Sequence, residues 1–525
     1  MANILHKRKA ADPSASDLTV GELAINASDG GLFTKTSGGS VVEVGSGGGG
    51  VSSDAQYNTV GGTNAGDSFT GTDAIQNTLF GYDAGTALSS GDSNTAVGFH
   101  SLKTQTTASG NTAIGQYAMT NSEAGGYGVA VGALSGCNDD GGTNNWIGVY
   151  CGYTSTSGTA NNAMGYFALY SNTSGASNVA IGKSAQQSNT IGSYSVAIGH
   201  EALKDNQTTS SHIAIGREAG KALTSGSYVC LVGTQCGKSA SSIDYTTGVG
   251  NGVFQNNSNS IYGSTALGAA AMQWNSGNYC TAIGNTALGA QSSNSEYNTA
   301  VGNSSSRNTT TAEKCTSLGS HALYNNRTIS NQTAIGYKAS YSHNGTSIEP
   351  NTTVGYQAGY SGTTSEKLTA LGYQAGYDVT TGSANTLIGY NAGNTGTNDL
   401  TIGDNNILIG HNAAATAADV SNEITLGDTN ITKFRIPGIN FTVKDTTATE
   451  DYVLTVDANG EAGWEAAGGG GATGAGGDSI FWENGQTVTT NYTITNNTNA
   501  GTFGPVTINS GITVTVGAGE TWTVI

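Results

Sequence analysis

Asn178-Val179-Ala180-Ile181-Gly182 is followed seventeen residues later by Ser195-Val196-Ala197-Ile198-Gly199. The same five-residue pattern stands at Asn111–Gly115, Gln332–Gly336 and Asn385–Gly389. Taking its closing glycine as a mark gives 22 positions from Gly62 to Gly427, at a mean spacing of about 17.4 residues. Gly98, Gly115, Gly182, Gly199, Gly216, Gly284, Gly336, Gly355, Gly372 and Gly389 are among them. From Gly81 onward the residue before the glycine is apolar at all 21 marks. Two residues earlier stands Thr, Val or Ile at 18 of the 21, with Asn145, Asn162 and Cys230 as exceptions. Three residues after the glycine stands Ala, Ser or Cys at 19, with Val253 and Asn430 departing. A phase held this long is a repeat, not chance.

Each column has a physical reading. Two β-branched or apolar residues separated by one residue fit one face of a short strand. The glycine permits a bend or a close backbone approach. The small residue enters an interior too tight for a larger one. Turns of Ser, Asn, Gly and Thr complete each unit. One unit cannot bury its own apolar face, but stacked units can. The period is too short for helix pairs or propeller blades. The fold class is therefore all-β: a parallel β-roll or β-helix solenoid of about 17 residues per coil. At about 4.8 Å per coil it would run on the order of 100 Å. Its interior is expected to hold Val, Ile, Thr and Ala. Such a thin core favours association, and a homotrimer is expected.

Composition agrees. Gly accounts for 80 of 525 residues and Pro for only 4, with no three-residue period, which excludes collagen. Charged residues make up 10%, too few for a charge-driven disordered chain. The net charge of −18 disfavours nucleic acid. No apolar run reaches the length of a membrane-spanning helix. Lys7, Arg8 and Lys9 are followed by no apolar stretch, so no secretory signal is expected. The six Cys are scattered and are expected to be free, buried and small, with neither disulfides nor zinc.

The organisation reads as follows. Residues 1–50 hold a small meander, with strands at 22–26, 32–36 and 41–44, and a Gly linker at 45–50. Residues 51–430 are the repeat. Residues 431–467 are a β-rich junction, 468–477 a second Gly linker, and 478–525 a β-rich tip with runs at 487–489, 506–508, 512–516 and 522–525.

The core Ser195-Val196-Ala197-Ile198-Gly199 resembles the head repeats of trimeric autotransporter adhesins. That resemblance implies a trimeric, left-handed parallel β-roll, in a family whose repeats are usually shorter. The N-terminal stretch 18–35, with Leu18-Thr19-Val20-Gly21-Glu22-Leu23-Ala24-Ile25-Asn26, looks like the start of many bacteriophage tail-fibre proteins. The close, with Gly504-Pro505-Val506-Thr507-Ile508 and Thr521-Trp522-Thr523-Val524-Ile525, is similar to the ends of phage fibre proteins. These likenesses imply a virion fibre that docks on other tail proteins through its N-terminus and touches host surface polysaccharide or protein. It would be assembled in the host cytoplasm.

Candidate functional residues are few. Tyr follows the mark at Tyr82, Tyr166, Tyr337, Tyr356, Tyr373 and Tyr390. The last four lie in consecutive repeats and are expected to form a ladder, by coil stacking or as a sugar-binding stripe. Trp482 and Trp522 are candidates in the tip. The acidic pairs Asp139-Asp140 and Glu450-Asp451 read as surface turns rather than catalytic pairs. His100, His200, His212, His321 and His411 read as solvated loop residues. No nucleophile elbow, zinc-protease or phosphate-loop motif is present. No catalytic residue, cofactor, metal or membrane insertion is expected. The alternatives to a tail fibre are a capsid or tail-knob fibre, a polysaccharide depolymerase tailspike and a bacterial trimeric cell-surface adhesin.

Overall fold

The computed structural model describes residues 7–9, 14, 16, 18–20, 22–26, 32–43, 51–433 (less 71, 124, 258–259, 275–276, 291–294 and 346–348), 452–456, 462–466, 485–494 and 498–525. It divides into two units, Met1–Thr432 and Lys433–Ile525. No helix occurs among the described residues.

The first unit is a parallel β-solenoid. Its ladder runs from Thr59–Gly61 to Ile424–Leu426 in strands of three residues, one per coil. Pairing is in register: Val179 faces Val196, Ala180 faces Ala197 and Ile181 faces Ile198. At the start of the ladder Val51–Ser53 pairs antiparallel with Thr59–Gly61. This hairpin covers an edge that would otherwise offer unpaired backbone groups to another chain. N-terminal to it, Leu23–Asn26, Leu32–Lys35 and Val41–Glu43 form the antiparallel meander, and Lys7–Lys9 adds to it in parallel. Leu18, Ala24 and Phe33 form its small core.

The glycine column makes the stacking possible. Gly182 has φ 128°. A Cβ on it would lie 2.6 Å from the carbonyl oxygen of Gly199, in the next coil. The same collision with the following glycine recurs from Gly62 to Gly389. Only glycine tolerates both the dihedral and the contact.

The interior corrects the expected columns. The middle strand residue points inward: Ala113, Ala180 and Ala197 are fully buried. Its β-branched neighbours point outward, with Ile114 40% and Ile181 38% exposed. Alternation along a strand allows only one of the two sets inside. The lumen is thin and takes the smaller set, packed against the small residue after the glycine, such as Ala118, Ala185 and Ala202.

The lumen is filled by compensation between two positions, the middle strand residue and the residue four after the glycine. In many coils a small first residue goes with a large second one: Ala113 with Met119, Ala197 with Leu203, Gly248 with Phe254. Ala130 with Gly136, Ala214 with Gly220 and Ala370 with Gly376 pair two small residues, and a large side chain of a neighbouring coil takes the space, as Trp146 does at Gly136 and Leu387 at Gly376. Where the first is large, glycine takes the second place. Leu79 goes with Gly85 and Leu231 with Gly237, whose added Cβ atoms would lie 2.9 and 2.8 Å from those leucines. Trp146, the largest fully buried side chain, sits over Gly152. Large side chains thus fill the space that small ones leave, in their own coil or the next, which keeps the packing close.

A polar ladder runs beside this apolar lumen. The residue four before the glycine is Asn in eleven coils. Asn161 donates its backbone N–H to Asn144 Oδ1 at 2.8 Å, and its Nδ2 to Gly175 O at 2.9 Å. Asn178 repeats both bonds, to Asn161 Oδ1 at 3.0 Å and Gly192 O at 2.8 Å. Each amide thus satisfies buried backbone groups that the short strands leave over.

The second unit contains coils of a different length. Thr487–Val488 pairs with Thr507–Ile508, Tyr492–Thr493 with Val514–Thr515, and Ala500–Thr502 with Trp522–Val524, all in parallel. Three successive pairs make two stacked coils of roughly twenty residues. Asn491 and Asn499 accept the backbone N–H groups of Thr513 and Thr521 from the coil above. Tyr452–Val456 and Ala462–Ala466 form an antiparallel hairpin.

Gly182→Ala is expected to destabilise its coils by about 3 kcal/mol, from backbone strain and the carbonyl collision. Gly485→Ala, where an added Cβ meets nothing within 4 Å, is expected to be near neutral. Denaturant titration of the two variants checks this.

Candidate functional site

The outer surface of each coil repeats by columns, so a residue type that recurs becomes a stripe. Tyr337, Tyr356, Tyr373 and Tyr390 form such a stripe immediately after the glycine. Their ring centroids are 5.4, 5.0 and 4.8 Å apart, with planes within 20° of parallel. His411 continues the stack on Tyr390. A second ladder, Tyr324, Tyr341, Tyr360 and Tyr377, runs four residues further along each coil. Lys338 Nζ lies 5.2–5.8 Å from the rings of Tyr337, Tyr341 and Tyr360, bridging the two. Parallel stacking covers the ring faces of the inner members. The ladder therefore offers edges and hydroxyls to solvent. Tyr82 and Tyr166 sit in smaller aromatic groups with Phe99 and Phe167.

In the second unit, Trp522 donates its indole N–H to Thr502 Oγ1 at 3.0 Å. It lines an open cavity of about 430 Å³ with Val488, Tyr492, Ile494 and Val514. Trp482 and the pair Glu450-Asp451 lie outside the described residues.

Asp139 departs from its expected surface turn. It is fully buried, accepting hydrogen bonds from Trp146 Nε1 at 2.7 Å and Asn144 Nδ2 at 2.8 Å. Burial pushes its carboxyl up to about 6, against the opposing effect of these bonds. It holds the largest interior side chain in place and has no opening to a substrate.

The cysteines are free and, except for half-buried Cys230, buried. Cys151 and Cys236 occupy the small interior position after the glycine and donate to the Ala163 and Gly248 carbonyls. Burial pushes both thiols up to about 12, the reverse of an activated nucleophile. Cys280 and Cys315 occupy the asparagine column, and burial raises them to about 11.

The histidines divide. His100 is largely covered rather than solvated: it lies 3.2 Å from the buried Asp83 and stacks on Phe99. His212 is not a solvated loop residue: it replaces Asn in the buried column and bonds Thr209 Oγ1 at 2.7 Å. His343 is buried as well. Burial lowers both imidazoles to about 4. Among the described residues no three His, Cys, Asp or Glu side chains converge as a metal site. Neither a protein-family model nor a curated protein matches this chain.

These buried groups give local stability opposite pH dependences. The folded pKa of His212 and His343 lies below the ordinary 6.5. Their neutral-form contribution is present above pH 6.5 and lost as pH falls towards 4, on the order of 3 kcal/mol each. Asp139 has a folded pKa above its ordinary 3.8, so its contribution is full below that value and lost as pH rises through 6. Amide-exchange protection factors are expected to fall around residues 209–216 on acidification from pH 6.5 to 4, and to rise around 139–148. His212→Asn, which restores the ladder amide, is expected to remove the first effect.

Proposed function

We propose that this chain is a structural and adhesive protein, a bacteriophage tail fibre that works as a homotrimer and attaches the virion to the host cell surface. The observation that carries the reading is the outward face of the solenoid sheet. Val97, Ile114, Ile147, Met164, Ile181 and Ile215 stand on it in a row, each more than a third exposed. The row continues through Leu267, Ile283, Leu318 and Leu371 to Ile409 and Leu426. With their β-branched partners these side chains offer on the order of 1,000 Å² of apolar surface, above the few hundred Å² usual on monomers and comparable to one side of a standard interface. Copies of the same chain present the same stripe at the same spacing, so register is matched along its whole length.

In this reading the N-terminal meander docks on other tail proteins and the solenoid serves as spacer and display surface. The second unit is an additional candidate for host contact. Attachment is multivalent: several weak contacts to host polysaccharide or protein combine through avidity. The resemblance of residues 18–35 and of the final residues to phage fibre proteins supports the virion context. A capsid or tail-knob fibre differs only in where the N-terminus docks.

Light scattering of the purified chain is expected to give three times the chain mass. Ile181→Asp combined with Ile198→Asp is expected to weaken the assembly while leaving the β-rich circular dichroism spectrum unchanged, because both side chains point away from the lumen. A monomeric wild-type chain would sink the trimer. Cryo-EM of the virion tests the attachment point.

A further inference from the structure

A third tyrosine column, five residues before the glycine, has a different character from the two stacked ladders. It is filled in consecutive coils by Tyr228, Tyr245, Tyr279 and Tyr297, with Tyr262 one residue out of phase between them. All five are 41–61% exposed. The four in phase have φ between 49° and 58°, in the left-handed region. Other coils place many residue types there at the same left-handed φ, among them Gly110, Asn331 and Asn405 but also Gln76, Thr143, Ala160, Ser177 and Lys314, and single tyrosines at Tyr57, Tyr127 and Tyr194. The backbone there selects no one residue type, so local conformation does not account for a run of tyrosine in successive coils.

The rings do not form a closed stack. Tyr228 and Tyr245 are near parallel, as are Tyr279 and Tyr297. Tyr262 is turned 61° and 64° from its neighbours. An edge-to-face contact does not cover ring faces as parallel stacking does. The backbone is rearranged here too. Ile243–Asp244 and Ile261–Tyr262 form an added parallel pair outside the main ladder. The spacing also departs from seventeen between Gly250, Gly268, Gly284 and Gly302. Gly263 makes room for the ring of Tyr279: a Cβ there would lie 3.0 Å from its Cδ1.

Polar groups line the same stripe. Asp244, Asn278 and Glu296 each directly precede one of the tyrosines. They are fixed by their own bonds: Asp244 Oδ1 accepts the Ser227 N–H, Asn278 Oδ1 accepts the Tyr262 N–H, and Asn278 Nδ2 donates to Glu296 Oε1, all at 2.9 Å. Carboxylate and amide oxygens accept more than one hydrogen bond, so these groups keep acceptor capacity.

We infer that Tyr228, Tyr245, Tyr262, Tyr279 and Tyr297, with Asp244, Asn278 and Glu296, form a binding stripe for a neutral glycan laid along the solenoid. Sugar rings pack their C–H faces on tyrosine and donate hydroxyls to the acceptors. An anionic polymer would meet the Asp244 and Glu296 carboxylates. A second copy of the chain would have to take those carboxylates out of water, at a desolvation cost that their neutral partners do not offset. The inference deepens the adhesive reading and rests on it.

Affinity gel electrophoresis of the full chain in dextran, mannan, galactan and, as the anionic control, hyaluronate tests it. At least one neutral polymer is expected to retard the wild type, and hyaluronate is not. Tyr245→Ala with Tyr279→Ala is expected to raise the apparent dissociation constant at least tenfold. Tyr194→Ala, in the same column but isolated, is expected to leave it unchanged. Circular dichroism and light-scattering mass of each variant are measured alongside. No retardation by any neutral polymer, or retardation by hyaluronate alone, overturns the inference. Equal retardation of wild type and double variant overturns the stripe and leaves adhesion elsewhere on the fibre standing. A loss of assembled mass in the folded double variant makes the stripe a contact between copies and overturns it as a glycan site.

Discussion

The contact between consecutive column glycines sets the rest of the solenoid. Backbone meets backbone where each strand ends, with no room for a Cβ and a dihedral that side chains avoid. Because this contact is identical in coil after coil, the strands pair in register and every other position inherits a fixed direction. The asparagine amides then stand above one another, and the outward apolar residues form a continuous row.

The constraint also explains where variation is allowed. Inside, large and small side chains offset one another within a coil or between neighbours, as Met119 does for Ala113 and Trp146 for Gly136 and Gly152. Outside, the columns are free to change identity, and runs of tyrosine appear in some coils and not others. Two kinds of aromatic stripe result. One is a closed stack, as in Tyr356 and Tyr373; the other is interrupted, at Tyr262.

Much of this was legible in the residues, and the failures are informative. Periodicity located Gly182 and its equivalents, the small residue at Ala185, and the ring stack from Tyr337 to Tyr390. It could not say which strand face is inside, because alternation defines two faces without ranking them; the narrow lumen selects Ala180 over Val179 and Ile181. The asparagine column looks like turn chemistry from composition alone, although its recurrence four residues before the glycine is a period in itself. Asp139, next to Asp140 and two glycines, looks like a turn, and only the fold brings Trp146 to it. The coils of the second unit escaped because two copies with two- and three-residue strands give no period to detect. The apolar residue before each glycine is a column in the sequence, but only the narrow lumen turns it outward, where it carries the proposed assembly.

The hairpin at Val51–Ser53 has a consequence for how such a chain can change over generations. It closes one end of the ladder and makes no demand on how many coils follow. Since each coil touches mainly its two neighbours, removing or duplicating one whole coil leaves every remaining contact of the same kind. Length is thus a quantised trait, adjustable in steps of about seventeen codons. A partial step would put the wrong residue against each glycine.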